Sequence, residues 1–352
     1  KAGIQSGDLI TAVDGLPTGP MTMNDVLLHL RGEVGTPVTV SILRGSNIKF
    51  DVTLIRALIE VPTVKYGMIE GSKTGYVRLI QFTPETASRL QVAIDFFKSS
   101  DYKGLIVDLR DNPGGLITSA VDVANKFISQ GPIVSTKSRL LFENHQFTSS
   151  KDTTTVNTDI PIVVLINKGS ASASEIVSGA LKDYHIAYLV GERTYGKGSV
   201  QQVIPLSNTD GIKLTMARYY TPSDVNIDKI GIPPDLEVLN MPVLSKLQEE
   251  KYVELMKSNE ISKIVDINKD MKESDIAAAA KKLSVAYPLD ERLLRRLIRI
   301  QVQKNHPAPL YDMDWDLQLK QAISIINDGK FKRLVSNTKT LKQLQEEVAS
   351  AK

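Results

Sequence analysis

Three observations predict a multidomain α+β fold. Short strands bounded by turns crowd residues 1–58, strands alternate with helices over residues 59–240, and residues 241–352 are helical by propensity. A length of 352 residues supports that division, because a domain averages ~150 residues. With 42% hydrophobic and 24% charged residues, the composition is that of a folded globular protein, which leaves a disordered or fibrous reading no support. A net charge of +3, from 43 basic and 40 acidic side chains, lays no footprint for nucleic acid or an anionic membrane surface. There is no cysteine, so disulfides, thiolate metal sites and a cysteine nucleophile are excluded. The purely apolar runs, such as residues 162–166 and 276–280, fall far short of the ~20 residues that span a bilayer, and no signal peptide is legible. The chain opens on Lys1 and in mid-pattern, so it is expected to be a fragment or processed form that has lost an upstream targeting segment.

In the first module, turns at Ser6-Gly7-Asp8 and Asp14-Gly15 bracket a short alternating strand. Val26, Leu27 and Leu30 at helical spacing place a helix over residues 24–30, and alternation places strands over 37–43 and 50–55. In the second region, strands are predicted at residues 75–79, 105–108, 162–166, 187–190, 199–204 and 213–220, and helices at 86–99, 116–129 and 172–184. Residues 137–159, polar with Phe142 and Phe147 inside, read as a flap or active-site loop. Helices over residues 243–256, 273–283 and 317–327 then form a separate region, whose amphipathic pattern suits packing or an oligomer contact.

Candidate chemistry concentrates where an apolar strand runs into a helix, at Asn167-Lys168-Gly169-Ser170-Ala171-Ser172-Ala173-Ser174-Glu175. Free N–H groups and the positive end of a helix dipole favour an oxyanion there. The same letters also spell a capping box, Ser172 with Glu175 three residues on. A second stretch, Gly191-Glu192-Arg193-Thr194-Tyr195-Gly196-Lys197-Gly198, flanks a lysine with glycines. The helix after Ser172 carries the chain ~18 Å away, and the residues from Tyr184 on are ample to return at ~3.3 Å each, so Lys197 can meet Ser172. Such a lysine serves as a general base only when burial strips it of water and proton; otherwise it is a solvated lysine in a glycine turn. Asp183, ~16 Å along the helix from Ser172, is too far for contact. Gln201 could orient the amine, although ~13 Å separates it from Lys197 in an ideal strand, so a bend at Gly198 is needed. A third stretch, Asp108-Leu109-Arg110-Asp111-Asn112-Pro113-Gly114-Gly115, ends a strand in two glycines that expose backbone N–H groups. It suits an oxyanion hole of Gly114 or Gly115 completed by Ala173, or simply a tight strand-to-helix turn.

The stretch Ala2-Gly3-Ile4-x-x-Gly7-Asp8-x-Ile10-x-x-Val13-Asp14-Gly15 resembles the back two-thirds of a PDZ domain, which adds a peptide strand beside a helix. The wall that clamps the peptide carboxylate would then lie upstream of Lys1. Taken with the Asp108-to-Gly115 turn, the Ser170-to-Glu175 motif and Gly196-Lys197-Gly198, in that order, the chain resembles the carboxyl-terminal processing (tail-specific) serine proteases over about residues 1–237, including Gly231-Ile232-Pro233-Pro234-Asp235. The resemblance implies a truncated PDZ domain at 1–58, an α/β protease core of the ClpP/crotonase-like kind at 59–240 and a helical C-terminal region at 241–352. It implies a Ser172–Lys197 dyad with the lysine 25 positions on, Gln201 as the lysine's partner, and an oxyanion hole of Ala173 with Gly114 or Gly115. It also implies protein substrates with unstructured C-terminal tails, an extracytoplasmic location (bacterial periplasm or membrane-associated exterior) and no metal or cofactor. A homo-oligomer or an adaptor is compatible with it.

Two rivals stand beside this reading. Gly191-x4-Gly196-Lys197 approaches a phosphate-binding loop, with Asp108 as a magnesium-binding strand end, but Gly198 stands where a hydroxyl should hold the metal. A peptide-binding scaffold without catalysis is the other, and retention of both Ser172 and Lys197 counts against it. A Ser-His-Asp triad through His29, His145, His185 or His306 has no companion motif.

Overall fold

The computed structural model describes residues 4, 8–45, 47–57, 62–139, 144–206, 210–304 and 309–350, the side chains of residues 202, 203 and 213 excepted. Of the PDZ-like stretch, Ala2, Gly3, Gln5, Ser6 and Gly7 lie outside these, as do Phe142 and His306. Strand β1 (Leu9–Val13) reverses at Asp14-Gly15 into β2 (Leu16–Pro17). Both turn residues have positive φ, 46° and 78°, as a tight hairpin requires. Helix α1 (Met23–Leu30) starts at Thr22, whose backbone N–H donates to Asp25 at 2.9 Å. The hairpin β3 (Pro37–Arg44) and β4 (Ile48–Ile55) completes an antiparallel sheet of order β2-β1-β3-β4. Val13, Val38, Val40 and Ile42 from alternate positions make its core.

The core region runs in the predicted alternation: β5 (Val64–Met68), β6 (Thr74–Leu79), α2 (Thr86–Ser99), β7 (Gly104–Asp108), α3 (Ile117–Asn125), β8 (Gly131–Lys137), β9 (His145–Ser149), β10 (Ile162–Ile166), α4 (Ala173–Asp183), β11 (Tyr188–Gly191), β12 (Ser199–Pro205), β13 (Gly211–Tyr220) and β14 (Leu236–Glu237). Six strands form one sheet in the order β14-β11-β10-β7-β6-β5, parallel except for β5. Strands β12-β13-β8-β9 form a second, antiparallel sheet. The expected flap over residues 137–159 is therefore partly strand. Residues His145–Ser149 pair with β8, and Phe147 packs partly buried on the core.

Helices α5 (Lys246–Lys257), α6 (Glu260–Ile267), α7 (Glu273–Ala286) and α8 (Glu291–Gln303) share a core of Leu255, Ile276, Ala280, Leu294 and Ile298. Helices α9 (Leu317–Asn327), α10 (Phe331–Ser336) and α11 (Leu341–Ser350) belong elsewhere. The chain divides into two compact units, Lys1–Val61 with Met241–Pro309 and Pro62–Asn240 with Leu310–Lys352. The single helical region expected over 241–352 is thus divided between them. The reason is the six-stranded sheet, which is apolar on both faces. Leu105, Val107, Val164 and Ile166 face α2, α3 and α4, while Tyr76, Ile106, Val163 and Leu165 face Leu319, Ala322, Ile326 and Phe331 of α9 and α10. A parallel sheet needs cover on both sides, which is why its strands read as unbroken apolar runs.

Candidate active site

Strand β10, five fully buried aliphatic residues, delivers the chain to the carboxyl end of the parallel strands, where Asn167-Lys168-Gly169 turn it into α4. The serines beyond this turn are not equivalent. Ser170 and Ser174 are fully buried and donate to main-chain carbonyls, Ser170 to Leu109 (2.8 Å) and Ser174 to Asn112 (2.9 Å). Ser172 alone of the three retains exposure, 8%, and adopts φ 54° and ψ −113°. A non-glycine residue in that region is strained, and such strain at a strand-to-helix junction presents a side chain for chemistry. The next residue, Ala173, opens α4, so its N–H has no acceptor within the helix.

The Asp108-to-Gly115 turn lies directly against this serine. A Cβ on Gly114 would stand 2.8 Å from Ser172 Cβ and 2.9 Å from the Ala173 nitrogen, and its φ is +100°, so glycine alone fits. Asn112, fully buried, ties the turn to the serine segment. Its carbonyl accepts from Ala171 N–H (3.0 Å) and the Ser174 hydroxyl, its Nδ2 donates to the Leu79 carbonyl (2.9 Å), and its Oδ1 accepts from Gly114 N–H (2.9 Å).

Glu175 joins Lys197 to the assembly. Its carboxylate is fully buried and accepts four hydrogen bonds, from Thr194 Oγ1 (2.5 Å) and Gly196 N–H (2.7 Å) at Oε1, and from Ser172 N–H and Lys197 N–H at Oε2. Both Oε2 contacts are 2.8 Å, so the backbone nitrogens of Ser172 and Lys197 lie within 5.6 Å of each other. Strand β13 closes the far side: Tyr219 N–H donates to the Gly198 carbonyl (2.8 Å), and its phenol neighbours the Ser172 side chain. Burial pushes the Tyr219 phenol up, against a smaller downward pull from Ser172, so it keeps its proton.

Residues 73–238 match the sequence profile of Peptidase family S41, and residues 1–44 that of a PDZ domain. The carboxy-terminal-processing protease of Bartonella bacilliformis is 44% identical over 251 residues, 70% of this chain and 57% of that protein. The carboxyl-terminal-processing protease of Synechocystis is 38% identical over 249 residues, 70% and 57%, and the chloroplastic carboxyl-terminal-processing peptidase 2 of Arabidopsis thaliana 37% over 245 residues, 67% and 46%. The chain belongs to peptidase family S41. It spans about half the length of these relatives.

Within this S41 core, Ser172, Ala173, Gly114 and the Lys197 backbone lie together, while Gly115, next along the turn, packs against the Phe82 backbone. Three expectations meet a different geometry. Gly114 N–H is already held by Asn112, which leaves Ala173 and Gly115 as the amides of this set that make no hydrogen bond among the described residues. The Lys197 side chain is exposed and makes no hydrogen bond or ion pair among the described residues. Gln201 is also exposed, and the irregularity in β12 falls between Val200 and Gln201 rather than at Gly198. Asp183 lies at the far end of α4 as expected, accepting from Ser223 N–H (3.0 Å) and Leu341 N–H (2.8 Å). His185 lies past that same end, bonded to Thr338 at 2.8 Å, and completes no triad with Ser172.

Asp108 is unavailable to a magnesium ion. Arg110 grips it through Nε (2.9 Å) and Nη2 (2.6 Å), and the Tyr76 hydroxyl donates at 2.6 Å. Burial would raise this carboxyl, but Arg110, with Arg78 and Tyr76, more than offsets that and holds it below the usual carboxylate range. The phosphate-loop rival loses its metal ligand there, and Lys197 leads into strand β12, not a helix. The Gly231-to-Asp235 motif proves architectural: Ile232 N–H donates to Thr194 Oγ1 (2.6 Å), and Asp235 pairs with buried Lys182. Sequence reasoning assigned no role to Asn112 or Tyr219 and read Glu175 as a helix cap and a motif position. Asn112 was legible as a fixed position of the Asp108-to-Gly115 motif, but not for what it holds.

Proposed function

We propose that the chain is the catalytic part of a serine endopeptidase that cleaves proteins at or near unstructured C-terminal tails, with Ser172 as nucleophile and Lys197 as general base. The observation that carries this is the Glu175 carboxylate, whose Oε2 accepts the backbone N–H of both residues at 2.8 Å. The relatives' names, carboxyl-terminal-processing proteases, supply the class of cleavage. Lys197 takes the Ser172 proton, Oγ attacks the peptide carbonyl, and an acyl-enzyme forms with departure of the amine; water then releases the acyl group. The tetrahedral oxyanion is met by the N–H groups of Ala173 and Gly115 at the positive end of α4. Lys197 acts as a base only once its water is displaced, and a substrate chain lying over the exposed side chain does this, with Gln201 orienting the amine. The PDZ module presents the tail, and the location is extracytoplasmic, either a bacterial periplasm or an organelle lumen.

The test is mass spectrometry of a protein with an unfolded, apolar-ended tail, incubated with this chain and with Ser172→Ala, Lys197→Ala and Lys197→Arg. Cleavage by the parent alone is expected, because a guanidinium does not lose its proton at working pH. An active Lys197→Arg variant would remove the general-base role, and a silent parent would favour a peptide-binding scaffold.

A further inference from the structure

The match to the Peptidase S41 profile ends at residue 238, yet a carboxylate from far beyond it reaches the Asp108-to-Gly115 turn. Arg110, two residues before Asn112, is 9% exposed and spends its guanidinium on two carboxylates. One is Asp108. The other is Asp316, met in a two-pronged pair at 2.7 Å from Nη1 and 2.7 Å from Nη2, with Gln318 Oε1 a further acceptor at 3.0 Å. Asp316 is itself fixed. Its Oδ1 accepts from Leu319 N–H (2.9 Å) as the cap of α9 and from Asn240 Nδ2 (3.3 Å), and Asn240 Oδ1 accepts from Leu317 N–H (2.9 Å). A planar guanidinium forked between two fixed carboxylates has one orientation, so the chain at Arg110 is set from both sides.

Just past Arg110 lies the turn whose placement decides catalysis. Asn112 spans Leu79, Gly114, Ala171 and Ser174 by hydrogen bonds, and Gly114 has no slack against Ser172. We infer that Asp316 is a positioning residue of the active site: through Arg110 it fixes the Asn112–Gly115 turn against Ser172, so that the C-terminal segment is part of the catalytic unit. This rests on the reading of Ser172 as nucleophile and of the glycine turn as its oxyanion side. The bland alternative is that the Arg110–Asp316 pair merely fastens α9 to the sheet. The two differ in what they leave unchanged. A fastener alters the stability of the whole unit, whereas a positioning residue alters the turn and the reaction rate per folded molecule.

The experiment uses the full chain and Asp316→Asn, which keeps the size and the capping ability of the side chain but removes its charge. Hydrogen exchange measured by mass spectrometry reads the Gly114 N–H now held by Asn112. In Asp316→Asn the peptide spanning this turn is expected to exchange ~10-fold faster, while the β8 peptide stays as in the parent. In the same samples, kcat for tail cleavage and the rate of Ser172 labelling by a fluorophosphonate, both per folded molecule, are expected to fall ~10-fold with KM within ~2-fold, and Asp316→Glu to recover part of the loss. Exchange at the turn equal to the parent's, or faster exchange spread evenly over all peptides, overturns the proposal whether or not the chain is active. A parent that takes no label defeats the reading of Ser172 instead. Should Asp316→Asn not fold, Arg110→Lys keeps the charge but cannot fork between Asp108 and Asp316, and parent-like exchange and rate in it overturn the proposal as well.

Discussion

Glu175 reconciles two meanings of one short stretch. As a sequence it completes a capping box with Ser172, and in the structure it does reach the Ser172 N–H, but the same carboxylate also collects Thr194, Gly196 and Lys197 from the other half of the site. A buried carboxylate is tolerable only when such donors satisfy it. Glu175→Gln keeps the shape but turns an amide N–H2 towards backbone donors, leaving at least one buried group unmatched. It is expected to cost ~2–4 kcal/mol of stability and to lower tail cleavage ~100-fold or more through the displaced Lys197 loop. Urea unfolding and the cleavage rate check the two numbers separately; parent-like values in both would show that the carboxylate does not organise the site. The sequence made Ser172 and Lys197 legible because each sits at a recognisable junction. It left Asn112 without a role and Tyr219 unmarked, since their contacts join segments distant along the chain: Tyr219 lies 47 positions after Ser172.

At the scale of elements, legibility tracked burial on both faces. The strand over residues 162–166 and the helices over 86–99 and 317–327 were placed with their observed bounds, because an unbroken run of Ile, Val and Leu and a clear 3.6-residue stripe each admit one period. Strand β9 was lost inside a polar loop, since an antiparallel strand with only Phe147 turned inward carries little apolar signal. The end of β7 carries a prediction of its own. Asp108 is held below its ordinary range in the folded chain, so the unfolded chain binds its proton more readily. The stability it confers is fully present above the unfolded value of ~3.9 and is lost as pH falls through the folded one. The thermal midpoint should owe no change to Asp108 between pH 7 and ~5 and should drop more steeply below ~4. Asp108→Asn should begin ~3–5 kcal/mol less stable, with Arg110 left half-paired, and should lose the Asp108 share of the acid slope. Calorimetry of both proteins across that range checks the sign, and equal acid slopes would assign the drop to other carboxylates.

The molecule as a whole is assembled out of chain order. Residues 241–309 fall with the first unit, and residues 310–352 return to the core and cover the second face of its sheet. An amphipathic pattern states that a helix has an apolar face but not which surface receives it, so α9 and α10 read as one region with α5 to α8. The sheet held the missing clue: strands apolar on both faces demand helices on both, and α2, α3 and α4 supply one face only. The consequence is that the compact unit does not end where the peptidase profile match ends. A chain stopped at residue 309 would bare Tyr76, Ile106, Val163, Leu165 and Val190, all at 1% exposure or less. At ~1.5–3 kcal/mol for each large apolar side chain, that loss reaches the ~5–15 kcal/mol by which a whole domain is stable. The truncated chain is expected to lack a cooperative unfolding transition and to bind an apolar dye strongly. Ala322→Asp, which sets a carboxylate against the same face in the 352-residue chain, should do so in part. A truncated chain that melts cooperatively at the parent's temperature would mean that α9 and α10 lie on the sheet without stabilising it.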